Sequence, residues 1–400
     1  MVEKQVDILI IGGGLTGATL MLALRNLGYS SLLVESKAFN DKTKPDFDAR
    51  SLAISPASQR ILTMLGLWDI LQPNATPIKL IHVSEQHRFG ASRLQGEKNN
   101  PLGHVIEMHY INQALHKLLP QEHILAPINL GTVNLEKSSA TVNTANGDMN
   151  IKAQLIVAAD GADSMVRQYC GLAAKIKNYH QVAIVANIGL EKNHHNRAYE
   201  RFTLQGPLAL LPMQNRRMSL VWALKPVEAE RLMALNEADF LKALQYTFGY
   251  RLGRFIKMGK RASFPLKQVL MAQQIKWPIV FVGNAAHTLH PVAGQGFNLG
   301  LRDVATLAQC IAADGLTGIM LEHYAHFRAH DQQIIGYLTD GLIQLFTSRI
   351  PGVALARDLG LIALDNIPAL KNLLARYAQG FGGMTPDLVC EIALTPRSIE

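Results

Sequence analysis

Apolar residues recur in short runs along this chain, and glycine or a helical pattern follows each run. Residues 6–11 form the first run, and its length and composition predict a buried parallel strand. A helix is predicted at residues 18–27 and a second strand at 31–34, with Gly28 suited to the helix C-cap. Strand, glycine-rich turn, helix and strand in this order are typical of an α/β fold that binds a dinucleotide.

The turn after the first strand has glycine where a phosphate group needs close approach to the backbone. Gly12 allows a tight turn, Gly14 lets the backbone approach a pyrophosphate, and Gly17 lets the helix pack against its strand. Leu15 and Thr16 lie at the helix N-terminus, whose partial positive charge would face the phosphates. We therefore expect these five residues to bind a cofactor.

An acidic residue ends the second predicted strand. Glu35 lies about 20 residues beyond the glycine turn, where a carboxylate accepts hydrogen bonds from ribose hydroxyls. A phosphorylated ribose would be repelled there. The pattern favours the adenosine of FAD or NAD over that of NADP.

Two further strands are each followed by a polar or glycine-rich turn. Residues 155–159 precede Asp160 and Gly161, and residues 279–282 precede Gly283 and Asn284. A helix is predicted at 298–312. The residues that open this helix are Gly294, Gly296, Phe297 and Asn298. The Gly294 and Gly296 pair does not follow a strand, so it does not predict a second dinucleotide fold.

The middle of the chain alternates in the manner of a sheet. Strands are predicted at 199–203, 207–213 and 218–224, with a turn at 214–216. Residues 227–247 have a helical pattern, and the last 70 residues predict several amphipathic helices.

Composition limits the classes of protein. The chain has 400 residues, 48% of them hydrophobic, which predicts about two or three domains. No apolar run approaches the roughly 20 residues of a spanning helix, and no signal peptide is predicted, so we expect a cytoplasmic protein. The formal charge of +8 suits an anionic cofactor or membrane surface, since no nucleic-acid module is present. Three widely separated cysteines predict neither a redox pair nor a metal site.

The three motifs together resemble the flavoprotein aromatic hydroxylases of the para-hydroxybenzoate hydroxylase type. That resemblance implies an α/β fold: a Rossmann-like FAD-binding domain with an inserted sheet-rich substrate domain and C-terminal helices. The FAD-binding domain would comprise residues 1–76, 103–180 and 277–330. The substrate domain would comprise 77–102 and 181–276, and the C-terminal helical region 331–400.

The same resemblance assigns the later motifs to the cofactor. Asp160 and Gly161 would lie near the FAD, Gly283 and Asn284 would hold the ribityl chain, and the segment from Pro291 to Asn298 would lie beside the isoalloxazine. The family's usual residue at 284 is aspartate, so asparagine keeps an acceptor oxygen and loses the charge. Arg167 could bind phosphate or lie on the surface of the following helix. Two further residues resemble family positions near the flavin, Arg50 and His109, although His109 also suits a structural role.

The variant around Asn284 is similar to that of ubiquinone-pathway hydroxylases, and this resemblance covers nearly the whole chain. It implies an NAD(P)H-consuming monooxygenase that hydroxylates the ring of a polyprenylated phenol through a flavin C4a hydroperoxide. The favoured substrate is 2-polyprenyl-6-methoxyphenol, with NADPH or NADH as electron donor and molecular oxygen as co-substrate. A sister hydroxylase acting at another ring position, a soluble-phenol hydroxylase and a non-enzymatic flavin-binding scaffold of a ubiquinone-biosynthesis complex are the alternatives.

Two predictions remain open at this stage. His287, His290 and Pro291 are weak catalytic candidates, because the histidines titrate near neutral pH but lie in a binding motif. The C-terminal helices either pack on the FAD-binding domain or contact the inner face of the cell membrane. The residues of that membrane hypothesis are Leu338, Leu342, Leu345, Phe346, Arg349, Arg357, Lys371 and Arg376.

Overall fold

The computed structural model describes residues 2–38, 47–48, 50–97, 100–145, 147–291, 294–348, 350 and 352–396. The strands within these ranges are β1 (Val2–Ile11), β2 (Ser31–Val34), β3 (Ser51–Ile54), β4 (Thr76–Pro77), β5 (Leu80–Glu85), β6 (Ala91–Gln95), β7 (His104–Glu107), β8 (Ile124–Leu125), β9 (Asn129–Asn134), β10 (Ser139–Thr144), β11 (Gly147–Ala158), β12 (Ala174–Leu190), β13 (Arg197–Phe202), β14 (Pro207–Met213), β15 (Arg217–Leu224), β16 (Phe255–Met258), β17 (Ala262–Met271), β18 (Ile275–Lys276), β19 (Ile279–Phe281) and β20 (His287–Thr288).

The α-helices alternate with these strands and then dominate the C-terminal part. They are α1 (Leu15–Leu24), α2 (Pro56–Met64), α3 (Trp68–Leu71), α4 (Met108–Leu118), α5 (Met165–Tyr169), α6 (Pro226–Ala234), α7 (Glu237–Phe248), α8 (Gln295–Asp314), α9 (Gly318–Thr347), α10 (Val353–Asn366) and α11 (Pro368–Ala378).

The first sheet contains the predicted nucleotide strands. Its order is β18-β19-β11-β1-β2-β8, and β1 runs parallel to both β2 and β11. Side chains alternate across β1, so Ile8 and Ile10 pack under α1 and α8, while Leu9 and Ile11 pack against the opposite core. Burial on both faces explains the uninterrupted apolar run.

The second sheet is mainly antiparallel, with the order β20-β17-β12-β15-β14-β13-β5-β6 and β16 beside β12. Helices α6 and α7 cover one of its faces, where Leu210, Leu220 and Trp222 are buried. A third, small sheet has the order β3-β7-β4.

The predicted strands at 31–34, 207–213 and 218–224 are confirmed within one residue. The predicted single helix at 227–247 was wrong, because it is two helices. Leu235 is extended, and the Asn236 side chain caps α7 by accepting the Asp239 N–H at 2.9 Å. Helix α8 starts three residues before the predicted 298, because Gly294 adopts a left-handed conformation that ends the preceding turn.

The division into domains remains a prediction. Two of its boundaries fall inside continuous secondary-structure elements. Strands β5 and β6, from the 77–102 segment, join the same sheet as β12–β17. Strand β12 crosses the predicted boundary at 180, and α9 crosses the one at 330. The C-terminal region is helical as predicted. Among the described residues, no helix combines the length and apolarity required to cross a bilayer.

Candidate functional site

The turn after β1 packs directly against the end of β11. Gly12 has a φ of +107°, and a Cβ there would lie 2.4 Å from the Ala159 carbonyl oxygen. A Cβ on Gly17 would lie 2.0 Å from the Gly12 carbonyl oxygen, so both positions require glycine. A Cβ on Gly14 would meet no described atom within 4 Å. The turn is therefore closed on its protein side and open at Gly14, the N-cap of α1.

Glu35 is fixed beside this turn. Its carboxylate accepts the Gly13 N–H at 2.6 Å and the Lys37 N–H at 2.8 Å. The side chain thus lies at the end of β2, next to the glycine backbone, where the sequence placed a ribose acceptor.

Thr16 connects the first motif to the third. A Cβ on Gly283 would lie 2.7 Å from Thr16 Oγ1, and one on Gly300 would lie 3.1 Å from the same atom. Leu15 packs against the helical core nearby. The N-terminus of α1 is consequently in contact with the turn at Gly283, although the two are far apart in the sequence.

The middle motif joins this assembly through Asp160. Its Oδ2 accepts the Val166 N–H at 3.1 Å, whereas its Oδ1 is buried without a partner among the described residues. Gly161 has a φ of +89° and open space at its Cβ position. An unpaired carboxylate oxygen beside an open glycine suits a ligand that donates a hydrogen bond.

The surface position, one of the two alternatives for Arg167, is wrong. Arg167 is buried, and its guanidinium donates to the carbonyl oxygens of Ala162 at 2.7 Å and Ala285 at 3.0 Å. The side chain therefore ties the middle motif to the third one.

The turn at Gly283 rests on a buried network of ion pairs that sequence reasoning missed. Asp303 accepts the Gly283 N–H at 2.9 Å, His287 Nε2 lies 2.6 Å from the same carboxylate, and Arg328 Nε donates to it at 2.8 Å. Burial alone would raise the pKa of Asp303, but His287 and Arg328 hold it well below its usual range. Asp331 then binds the Arg328 and Arg302 guanidiniums. The sequence signal for this network was an arginine and an aspartate three residues apart on α9, Arg328 and Asp331.

The two candidate histidines are both buried. His287 is bound to Asp303, which favours a structural role over proton transfer. Burial lowers the pKa of His290 to about 4, and its ring meets the Tyr179 ring edge-on at 5.0 Å. His290 is therefore uncharged at neutral pH. Pro291 is partly exposed, whereas the next two residues, 292 and 293, lie outside the described ranges.

The start of α8 is uncapped by side chains and lacks acidic residues in its first turn. Asn298 does not supply a cap, because its amide binds Ala53 and Ser55 of the β3 segment at 2.9 Å each. No described atom lies within 4 Å of a Cβ on Gly296, and Phe297 is partly buried. A helix N-terminus without a side-chain cap or an acidic first turn suits an anionic or electron-rich ligand.

Arg50, Asn284 and His109 have different surroundings. Arg50 is exposed, with its guanidinium 4.9 Å from the centre of the Phe264 ring. Asn284 is exposed at the turn. Burial lowers the pKa of His109, and neither ring nitrogen has a hydrogen-bond partner among the described residues.

A family model described as an FAD binding domain matches residues 5–324. The chain belongs to this family of FAD-dependent monooxygenases. Ubiquinone hydroxylase UbiL of Rhodospirillum rubrum is 36% identical, covering 96% of this chain and 92% of that protein. The 3-demethoxyubiquinol 3-hydroxylase of Escherichia coli is 30% identical, covering 95% and 100%. Human mitochondrial ubiquinone biosynthesis monooxygenase COQ6 is 26% identical, covering 94% and 93%.

Solved structures agree on the fold of this monooxygenase. The p-nitrophenol 4-monooxygenase PnpA of Pseudomonas putida DLL-E4 has a TM-score of 0.78 at 16% identity, covering 96% of this chain and 99% of that one. A probable FAD-dependent monooxygenase of Pseudomonas aeruginosa, PqsL, has a TM-score of 0.75 at 20% identity, covering 90% and 100%. The predicted para-hydroxybenzoate hydroxylase type of fold and the ubiquinone-pathway family are thereby confirmed, which favours the enzyme over the scaffold.

Proposed function

We propose that this monooxygenase hydroxylates the ring of a polyprenylated phenol in ubiquinone biosynthesis. The observation that carries the proposal is the convergence of four distant segments, containing Gly14, Arg50, Asp160 and Gly294, around the open N-termini of α1 and α8. The names of its ubiquinone-pathway relatives give the substrate class.

The residues present fit FAD. Gly12, Gly14 and Thr16 would approach the pyrophosphate, Glu35 the adenosine ribose, and Asp160 a donor group of the cofactor. The other residues that we propose to bind FAD are Leu15, Gly17, Arg50, His109, Gly161, Gly283, Asn284, Pro291, Gly294, Gly296, Phe297 and Asn298. FAD would supply the oxidising chemistry with oxygen, while the protein orients the ring and excludes water. The N-terminus of α8, which has no side-chain cap, would stabilise negative charge on the flavin.

The substrate we favour is 2-polyprenyl-6-methoxyphenol. The Escherichia coli relative acts, by its name, on a different intermediate of the pathway, 3-demethoxyubiquinol. Mass spectrometry of quinone intermediates in an aerobic deletion strain distinguishes these steps. Build-up of the methoxyphenol supports the proposal, build-up of a demethoxy intermediate moves the reaction to that later step, and an unchanged quinone pool contradicts a role in the pathway.

NADPH is the proposed electron donor. Glu35 at the first turn disfavours a phosphorylated ribose, so NADPH would bind elsewhere and only transiently. Rates of anaerobic flavin bleaching with NADPH and with NADH test this choice. Faster bleaching by NADH would contradict it.

We further propose that this cytoplasmic enzyme contacts the inner face of the membrane through α10 and α11. Part of the earlier hypothesis was wrong. Phe346 is buried and stacks on Phe202 at 3.7 Å, and Arg357 is buried in an ion pair with Glu85. Leu342 packs beside them, and Arg349 lies outside the described residues.

Leu338 and Leu345 on α9 are 37% and 44% exposed, and further apolar residues available to lipid lie on the last two helices. Leu355, Leu359 and Ile362 recur at helical spacing along α10 and are 55%, 56% and 37% exposed. Helix α11 has no buried residue, and its Leu370 and Leu373 are 45% and 55% exposed. Exposed leucines in this number mark an interaction surface. Lipid is the occupant that suits a prenylated substrate, and the exposed Arg376 on α11 favours anionic headgroups.

Vesicle flotation of the full-length protein tests this surface. Wild type should float with phosphatidylcholine vesicles that contain phosphatidylglycerol, and salt should weaken binding. A Leu359→Glu, Leu370→Glu double variant should remain in the load fraction. Val227→Glu is the matched control, because Val227 is 80% exposed on α6. Equal flotation of the double variant, or salt-insensitive behaviour of wild type, would contradict the membrane contact.

A further inference from the structure

Five residues form a continuous strip across one face of the second sheet. Glu200 on β13 pairs with Val83 on β5 and with Ala209 on β14. Ala209 pairs with Val221 on β15, which pairs with Val185 on β12. Directly paired residues point to the same side of a sheet, so these five side chains share one face.

The strip is open to an interior space. All five residues retain accessible surface, although they lie in central strands. Their neighbours on the opposite face differ: Tyr199, Leu210 and Leu220 are buried under α6 and α7. Because Glu200 Oε1 is itself buried, this accessible surface indicates an internal space between the sheet and the segments packed on this face.

This internal space lies on the flavin side of the sheet. Gln181 lies four residues before Val185, on the same face of β12, and its Oε1 is 3.3 Å from His290 Nε2. Asn187 lies two residues after Val185 and donates to the Phe47 carbonyl oxygen at 2.7 Å. The same face therefore meets both the motif that ends at Pro291 and the segment that precedes Arg50.

Packed apolar groups flank Glu200 in both directions along β13. Ala198, two residues before Glu200, packs with Val105 of β7. Phe202, two residues after it, packs with Phe346 of α9 and Leu361 of α10. A phenol ring in this space would lie between small apolar side chains, with one polar group within the strip.

That polar group is an unpaired acid. Glu200 Oε1 is buried and has no hydrogen-bond partner among the described residues. Burial raises the pKa of Glu200 to about 8. An unpaired buried carboxyl destabilises a fold, so its presence in an otherwise apolar strip points to a ligand that pairs with it.

Charged groups on the elements around Glu200 are engaged with other partners. Period-two alternation directs Arg201 to the opposite face, where it donates to Ser84 and Thr247. Other charged groups on packed elements form ion pairs, which are Glu85 with Arg357, Arg93 with Asp365, Lys177 with Asp340 and Arg217 with Glu107. Asp358 accepts the Gly90 N–H. His82 and Arg251 lie near Arg201. Burial, and not a neighbouring charge, therefore sets the state of Glu200.

We propose that Glu200 binds the phenolic hydroxyl of the substrate and accepts its proton. This inference rests on the proposed function. The phenol O–H bond breaks, its electron pair remains on the phenolate oxygen, and the proton forms a new O–H bond on the Glu200 carboxylate. The phenolate is the more electron-rich ring and hence the better target for an electrophilic oxygen. A phenol has a pKa of about 10, so a carboxyl with a raised pKa is a better matched acceptor than an ordinary one.

The test uses FAD-loaded full-length enzyme with 2-methoxyphenol as the probe. Phenol-stimulated NADPH oxidation is measured from pH 6 to 9, and the ultraviolet difference spectrum of the bound probe without NADPH reports phenolate. Wild-type kcat/KM should rise with pH through about 8, and the bound probe should show phenolate absorption. Glu200→Gln should lose roughly 10²-fold or more in kcat/KM, with a flat profile and no bound phenolate.

Two variants make the result specific. Glu200→Asp should keep the pH dependence, because it retains a carboxyl. Glu230→Gln on α6, an exposed glutamate on the far side of the sheet, should behave as wild type. Wild-type activity in Glu200→Gln, or reduced activity with an unchanged pH profile and bound phenolate, would overturn the assignment. Absence of phenol-stimulated NADPH oxidation in wild type, with every phenol tested, would instead overturn the proposed function.

Discussion

Asp303 and Glu200 are both acids inside the same protein, and their surroundings give them opposite behaviour. Asp303 accepts hydrogen bonds from the Gly283 backbone, Arg328 and Gln332 and lies against His287. Glu200 has no described partner for its buried oxygen. The pKa of Asp303 is held well below its usual range, whereas the pKa of Glu200 is raised to about 8.

Both acids are buried, so the difference between their pKa values comes from the partners that only Asp303 has. Burial acts on both side chains in the same direction, but only Asp303 has cations to oppose it. An acid held by cations stays ionised and supports the structure. An acid with no partner binds a proton more tightly than an ordinary acid, and it can accept one from a ligand once it has ionised.

The largest expected effect follows from removing the paired acid. Asp303→Asn leaves Arg328 buried without its full counter-charge and should lower the free energy of unfolding by about 3–5 kcal/mol. The low pKa of Asp303 means that its contribution is present above the unfolded-state value and is lost only as pH falls through the folded-state value. The loss in the variant should therefore persist from pH 8 down to pH 5. Urea unfolding at fixed FAD concentration measures it.

Asp239→Asn is the matched control for that experiment. Asp239 pairs with Lys242 at 3.1 Å on the surface of α7, so its removal should leave the unfolding midpoint unchanged. An Asp303→Asn protein as stable as this control would mean that the buried network contributes nothing.

Removing the unpaired acid should act in the opposite direction. The pKa of Glu200 is near 4.5 in the unfolded state and about 8 in the folded state. Ionised Glu200 therefore lowers the free energy of unfolding progressively as pH rises from 4.5 to about 8. Glu200→Gln should therefore match wild type near pH 4.5 and become the more stable protein at pH 8. The gap should widen by at most about 1.4 kcal/mol per pH unit. A constant gap across this range would refute the raised pKa.

The smallest effect is expected from an acid added at an exposed position. Asn284→Asp introduces the aspartate that the family resemblance gives as the usual residue at this position. The turn is exposed, so solvent screens the added charge. FAD should stay bound, and the flavin midpoint potential should fall by about 5–20 mV, since an exposed charge interaction is worth about 0.2–1 kcal/mol. Spectroelectrochemistry compares it with the neutral control Asn284→Gln. A higher potential in Asn284→Asp would contradict the expectation.

Local patterns were sufficient to predict the glycine turns and most strands. The residues that decide them are adjacent in sequence, as for Gly12 after β1 and the apolar runs of β14 and β15. The prediction of one helix at 227–247 was wrong for a local reason. An asparagine can lie within a helix or cap its N-terminus, and Asn236 caps α7.

The interior of the site could not be predicted, because its partners come from distant segments. The Asp303 network requires α9 to lie beside α8, and nothing in either helix alone specifies that contact. Glu200 looked like one polar position in an alternating strand. Only the pairing register with β5 and β14 places it in the accessible strip, and a shift of one residue would have turned it to the opposite face.

The contact of Thr16 with the turn at Gly283 and with Gly300 of α8 has a consequence for how the protein is made. The first half of the site leaves the ribosome long before the second half exists. At 5–20 residues per second, roughly 15–60 s separate the synthesis of these segments. During that interval the nascent chain lacks the third motif, so FAD can stabilise the fold only after residues 283–300 have been synthesised.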